Sequence, residues 1–468
     1  MLKLIIEKEL KEIVSTPKFV LLFAVSSVLI LLTFYAGGKN YQINLQKYEA
    51  AKTENLRQLG GLTDWTQVNT QRVFLPPDLI ESLVSGVAND VGRTIEIYSA
   101  GWLIPQDSRY NDAPIFAIFR FLDLEFIFQV VMSLFAILLA FDAINGEKER
   151  GTLKLVFSNA LPRSQYILGK LIGVFSGLAI PLLIPVLLGC MILILMGLHL
   201  SGEDWIRLGL VATAGLLYFG VFLAASVFVS ASTYRSASAF LYLLMIWIFA
   251  VLVIPRTAVL LSARAIDIPS MDEVNTSKSR YMSQLWQEHR QKLGAFKPDD
   301  HEDEIDGGLM KFMDELHKER NRKMEAFANE IAEDRRNRQR HQERLAFALA
   351  RISPAAVFSL AAADIAGTAT DLKESFYDQA LGYQKSFEEF IRGKTGLNPS
   401  GGMVFIVESG EEEVKEAINP NDLPPFEYEK TSLGATLPNV FPDFALLVLF
   451  NLLFFAGAYI RFLKYDLR

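Results

Sequence analysis

The side chains in this sequence that are able to do chemistry are few and scattered. His289, His317 and His341 sit among charged residues with no nucleophile or partner carboxylate at a recognisable spacing, which reads as solvated helix faces. His301, Glu302, Asp303 and Glu304 form a run, but the spacing fits neither a zinc site nor a calcium loop, and a solvated acidic turn is expected. No GxxxxGKS or GxxxxGKT segment occurs, so the chain lacks the loop that cradles ATP phosphates. No cofactor or metal site and no enzymatic centre are expected. The lone cysteine, Cys190, lies in an apolar run and excludes a disulfide framework.

Other polar groups stand where lipid is expected. Gln129 and Asn451 lie inside apolar runs, where a polar side chain either bonds a neighbouring helix or lines a watery path. Asp123, Glu125 and Asp443 stand at the ends of such runs, placed either to gate a path or to be solvated at the interface. Gln129, Asn451, Asp123 and Glu125 are therefore the candidate translocation path.

The most informative segment is Asn145 to Lys170, NGEKERGTLKLVFSNALPRSQYILGK. It mixes acids and bases, contains a helix-compatible stretch and breaks at Pro162. From its residues alone it also fits an ordinary loop that its lysines and arginines keep on the cytoplasmic side.

The elements that position these residues follow from hydropathy. Of the 468 residues, 51% are hydrophobic, and mean hydropathy is +0.24, too apolar for an ordinary soluble chain. A bilayer core of about 30 Å needs roughly 17 to 25 apolar residues in a helix. Six runs meet this: 19–36, 124–144, 171–198, 206–230, 237–261 and 444–463. The third contains Pro181 and Pro185 and is expected to kink. The fourth and fifth are joined by six residues, 231–236, and form a hairpin.

Residues 1–18 interleave Leu2, Leu4, Ile5, Ile6, Leu10, Ile13 and Val14 with charges, the pattern of a helix lying in the interface plane. The first span is expected to be retained rather than cleaved, because no small-residue cleavage pattern follows it. Lysine and arginine concentrate in residues 1–18, the 145–170 loop, Arg235 and the tail Arg461, Lys464 and Arg468, which places both termini in the cytoplasm of a multi-pass protein. The chain is expected to end at the membrane.

Two polar stretches then lie outside, 37–123 and 262–442. In the first, Ile80–Ala88 has helical periodicity and Thr94–Tyr98 alternates like a strand. In the second, Leu309 to Ile331 reads as a long amphipathic helix, with Tyr281, Leu285 and Leu293 on an antiparallel partner and 297–308 as the turn. Ser353-Pro354 reads as a helix start, 375–391 as a helix, and Gly401–Val407 as one short strand. The basic run Arg335–Arg340 is interleaved with acids, which argues against nucleic acid. The fold class is thus an all-α polytopic membrane protein with an interfacial helix, six spans and a mainly helical extracytoplasmic domain of minor β content.

The order Glu147, Glu149, Gly151, Thr152, Leu153, Pro162, Arg163, Gly169, Lys170 resembles the loop between the second and third spans of ABC-2 type, type V exporter-like permeases. With Ser353-Pro354 and Asp364-Ile365-Ala366-Gly367-Thr368, the resemblance extends over nearly the whole chain. It points to a subgroup with a large insertion before the last span, to which gliding-motility and nitrous-oxide-reductase maturation permeases are similar. The resemblance implies a coupling helix seated on a separate P-loop ATPase, two copies of which bind ATP and magnesium. It implies that Glu147, Lys148, Glu149, Arg150, Gly151, Thr152, Leu153, Pro162 and Arg163 form that interface. A second permease chain, identical or related, is implied, as are membrane lipid and residence in the bacterial inner membrane. The expected function is ATP-driven export by alternating access. The alternatives are mechanotransmission, in which the external domain acts on an envelope partner, and a membrane-anchored scaffold or receptor without energy input.

Overall fold

In a bilayer every backbone amide must be satisfied within the protein, so long apolar runs fold as helices. The computed structural model describes residues 2–68, 70–88, 92–98, 103–106, 123–158, 162–295, 305–395 and 418–464. Helix α1 (Leu2–Val14) is followed by α2 (Pro17–Gly60), then strands β1 (Thr70–Phe74), β2 (Thr94–Tyr98) and β3 (Leu103–Gln106). Helix α3 runs through Leu124–Phe126, a π-helical turn Ile127–Met132 and Ser133–Ala140. Short helices α4 (Asn145–Glu149) and α5 (Thr152–Phe157) lead to α6 (Arg163–Leu195) and α7 (Gly202–Ser232). Helix α8 comprises Ser236–Trp247, a second π turn Ile248–Val253 and Ile254–Ala265. The remainder is α9 (Met271–Gly294), α10 (Ile305–Ala350), α11 (Pro354–Ala366), α12 (Asp371–Thr395) and α13 (Leu433–Leu463).

Seven helical stretches are long and apolar enough to cross a membrane by length and composition, against the six read from the sequence. The additional one, Pro354–Thr395, is α11 plus α12, broken where Gly367 takes a left-handed φ of +74° that any side chain would disfavour. The 13 residues of α11 reach about 20 Å, short of a ~30 Å hydrocarbon layer, so this helix enters the bundle and turns back.

The end of the bundle bearing α1, α4 and α5 is the loop side, and the opposite end, bearing the sheet, is the domain side. The tip of the re-entrant α11 is deep. The Ser353 hydroxyl donates to the carbonyl of Ala250 and accepts from the Ala355 N–H at 3.1 Å, capping α11. Ala250 follows Ser236 by 14 residues, and Tyr218, which stacks on Phe358 at 5.0 Å, precedes Ser232 by 14, so this tip sits about 21 Å from the loop side. The sequence reading put all of 262–442 outside. The structure sets α11 among the spans because Ala355, Val357, Phe358, Ala361, Ala362 and Ile365 make it apolar on nearly every side, whereas α12 is apolar along one stripe and charged elsewhere.

Both π turns lie beside that tip, and Trp247 Nε1 donates to Ser133 Oγ at 2.8 Å, bonding α8 to α3 there. Pro181 and Pro185 lie inside α6, which continues as a helix from Arg163 to Leu195.

Helix α2 is a single 44-residue rod of about 66 Å, started by Thr16, which accepts from Phe19 N–H, and by Pro17. Its far end helps build the domain-side module. There Phe376, Ala380, Tyr383, Phe387 and Ile391 of α12 pack on Val73, Ile95 and Ile97 of the sheet and on Leu59 of α2. The sheet is antiparallel in the order β1-β2-β3, with Arg72 opposite Glu96 and their side chains paired at 2.7 Å. The two polar stretches that the sequence separates therefore share one core.

Residues 80–88 form successive turns rather than a helix, because Gly86 has φ +45° and the Ser85 N–H is taken by Asp123. Helices α9 and α10 form an antiparallel hairpin in which Tyr281 stacks on Phe327 at 4.0 Å. Residues 297–304, with His301 to Glu304, and the expected strand 401–407 lie outside the described residues, as does Arg468.

Candidate coupling site on the loop side

Helix α1 lies against α6 because Gly169 and Gly173 present no side chain. A methyl on Gly169 would come within 2.7 Å of Ile5 Cγ2, and one on Gly173 within 2.7 Å of Glu9 Cβ. This contact carries Glu9 inward to Lys170, which is 3% exposed and lies 3.0 Å from Glu9 and 3.1 Å from Glu147. Glu147 also accepts from the Tyr166 hydroxyl at 2.6 Å and from Lys8 at 2.9 Å. Burial pushes the Glu9 carboxyl above its usual range, against the pull of Lys170 and Lys8. Two buried carboxylates sharing a buried ammonium are stabilised only while all three are present.

The same loop grips the neighbouring helices by their exposed backbone ends. Lys148 Nζ donates to the carbonyls of Ala231 at 2.7 Å and Thr233 at 3.1 Å, closing the end of α7. Glu149 accepts from the N–H and the hydroxyl of Ser236, at 2.8 and 2.9 Å, opening α8. Arg163 Nη1 donates to the Leu463 carbonyl at 2.5 Å, at the end of α13. Arg150 bonds the Gly146 carbonyl at 3.0 Å and stands 3.9 Å from Glu12.

Gly151, at φ +72°, turns the chain between α4 and α5. Helix α5 is then fixed by Leu153, 2% exposed, and by Phe157, whose ring lies 5.2 Å from Tyr166 and 5.6 Å from Phe462. Its other face presents Thr152, Lys154 and Leu155, the last 69% exposed. Of the residues singled out in this loop, Glu149, Arg150, Gly151, Thr152 and Pro162 reach the surface. Glu147 and Leu153 point inward, and Lys148 and Arg163 are bound to helix ends. Leu155 and Lys154 complete the outward face. The run TLKLVF does not say which leucine faces out, since both fit an apolar stripe until Tyr166 and Phe462 claim Leu153.

The candidate path residues are bonded within the chain. Gln129 donates to the Ala355 carbonyl at 3.3 Å, and Asn451 to that of Leu217 at 2.9 Å. Asp123 caps α3 by accepting from Phe126 N–H at 2.8 Å, and Glu125 accepts from the Ser359 hydroxyl. Among the described residues, no group of three or more His, Cys, Asp or Glu is placed to hold a metal ion.

This is an integral membrane protein whose loop-side element is held to α1, α6, α7, α8 and α13 while its Thr152, Lys154 and Leu155 face stays open. The family model described as ABC-2 family transporter protein matches residues 4–467. The chain belongs to that family. It is 36% identical over 127 residues to the probable ABC transporter permease protein NosY of Stutzerimonas stutzeri, covering 26% of this chain and 45% of that protein. It is 37% identical over 125 residues to the protein of the same name from Pseudomonas aeruginosa, with the same coverage, 26% and 45%. The match thus spans under half the length of these curated relatives.

Proposed function

We propose that this subunit is the membrane half of an ATP-driven exporter in which α5 docks on a separate P-loop ATPase. The observation that carries the reading is the exposed Thr152, Lys154 and Leu155 face on a helix whose opposite face is locked to α6 and α13. The loop side is the cytoplasmic side of the bacterial inner membrane, in keeping with its lysines and arginines. Two ATPase copies bind ATP and magnesium, and two permease chains together form the path. The hydrogen bonds that Gln129, Asn451, Asp123 and Glu125 make within one chain favour a path between the two chains over one through either.

A second reading, force transmission to an envelope partner, is favoured by the continuity of α2 and α10, of 44 and 46 residues, between the bundle and the domain-side module.

The test is affinity purification from native membranes in mild detergent, with mass spectrometry, comparing the wild-type chain with Glu149→Ala plus Arg150→Ala and with Leu155→Glu. Recovery of a P-loop ATPase with the wild type and its loss from both variants supports docking through α5. Absence of any ATPase from the wild-type preparation would leave the anchored scaffold as the better reading.

A further inference from the structure

Helix α13 is held at two points, its loop-side end and Asp443 within it, by groups that belong to other elements. At the loop side, Phe462 stacks on Tyr166 at 5.2 Å, packs on Phe157, and its neighbour Leu463 is bonded by Arg163. At the domain side, Asp443, 0% exposed, accepts from Arg351 Nε at 2.6 Å and Nη2 at 3.1 Å. That two-point geometry fixes direction as well as distance. The 20 residues from Asp443 to Phe462 contain no proline and reach about 28 Å, nearly a hydrocarbon layer, whereas Pro438 and Pro442 follow directly on the domain side. A stiff segment thus ends at Asp443, with the bend-prone one beyond it.

Arg351 stands at the corner between α10 and α11. Helix α11 is seated in the bundle by Ser353, Phe358 and Gln129, and its far end is held by Arg207, which donates to the Ile365 carbonyl at 2.6 Å. Helix α10 leaves from the same corner and reaches about 69 Å into the α9/α10 hairpin. Along the way α10 is paired to α12 through Arg340–Glu374 at 2.7 Å and Arg336–Asp378 at 3.3 Å, so displacement of the corner reaches the domain-side module as well as the hairpin.

Resting on the reading that an ATPase moves α5, we infer that Arg351 and Asp443 are positioning residues that pass movement of α13 to the α10/α11 corner and so to the domain-side hairpin. The loop-side site pushes one end of a connecting rod, and this ion pair is the joint at the other. A purely structural pair would instead only neutralise a buried carboxylate.

The experiment uses the full chain with its ATPase in lipid nanodiscs, carrying Cys190→Ala. Nitroxides are attached through Gly294→Cys, at the end of α9, and Gly209→Cys, on α7, both with open space around them. The distance between labels is measured by double electron–electron resonance without nucleotide and with ATP trapped by vanadate. The wild type is expected to show a nucleotide-dependent shift, lost in Arg351→Gln and in Asp443→Asn although both still bind the ATPase and hydrolyse ATP, and partly kept in Arg351→Lys. A full shift in Arg351→Gln or Asp443→Asn, even with a lowered Tm, overturns the joint, as does no shift in a hydrolysing wild-type complex. If no ATPase joins the wild-type chain, the docking reading fails first and the joint with it.

Discussion

The two sides of the bundle solve the problem of buried charge differently. On the loop side, Glu9 and Glu147 share Lys170, with Lys8 and Tyr166 at the edge, so five side chains form one network. On the domain side the charges stand apart: Arg351 with Asp443, and Arg207 with Glu203 and two carbonyls. The network binds α1, α4 and α6 into one block, since moving any member exposes the others to an unpaired charge. The separate pairs instead join α7, α11 and α13 two at a time, Arg207 of α7 to the Ile365 carbonyl of α11 and Glu203 of α7 to the Leu433 N–H of α13. The first is suited to receiving a push, the second to passing it on.

The sharpest way to break this contrast is to remove the shared cation. Lys170→Met leaves two buried carboxylates without their central partner and is expected to cost about 3–5 kcal/mol, read as a fall in Tm in detergent. A loss no larger than that of Glu147→Gln would show that the block is not cooperative. Arg207→Met comes next. It orphans the carbonyls of Ile365 and Thr431, at about 1–3 kcal/mol each, and hydrogen exchange should rise at the ends of α11 and α13 while α1 stays protected. Spread of that exchange to α1 would erase the distinction between the two sides. At the small end, Leu155→Glu is expected to change Tm by no more than about 0.5 kcal/mol equivalent while abolishing ATPase capture.

Titration probes individual carboxylates rather than the two sides as wholes. Hydrogen bonds from Lys292 and Lys323, on the α9/α10 hairpin, hold the Glu319 carboxyl down at about 2, whereas burial raises that of Glu9. A depressed carboxylate stabilises above its unfolded value of 4.5 and loses that contribution as pH falls toward about 2. A raised one does the reverse, since the folded state takes up the proton first as pH falls. Acidification from pH 5 to about 2 is therefore expected to loosen the hairpin, seen as faster exchange in α9, with Glu319→Gln removing that dependence.

Some of this was plain from residue order. The runs at 19–36, 206–230 and 444–463 are long enough to force helices, and the alternation at 94–98 is strand β2. The periodicity at 80–88 reported burial of Ile80, Leu83 and Val84 but not their backbone, which Gly86 bends. In the 145–170 loop the residue types announced a surface element. Which of them faces a partner was not legible, because Glu147 and Glu149 are equally polar and only Gly169 and Gly173, by admitting α1, draw the first inward.

By itself, then, the sequence determined what must be helical and what must lie in lipid, since hydropathy and the cost of an unsatisfied amide act along the chain. Only the tertiary structure decided that α11 turns back inside the bundle, that residues 37–123 and 371–432 share a core, and that Asp443 meets Arg351. Those outcomes depend on which distant partner relieves a buried charge or covers an apolar face, and such pairing leaves no mark in local order.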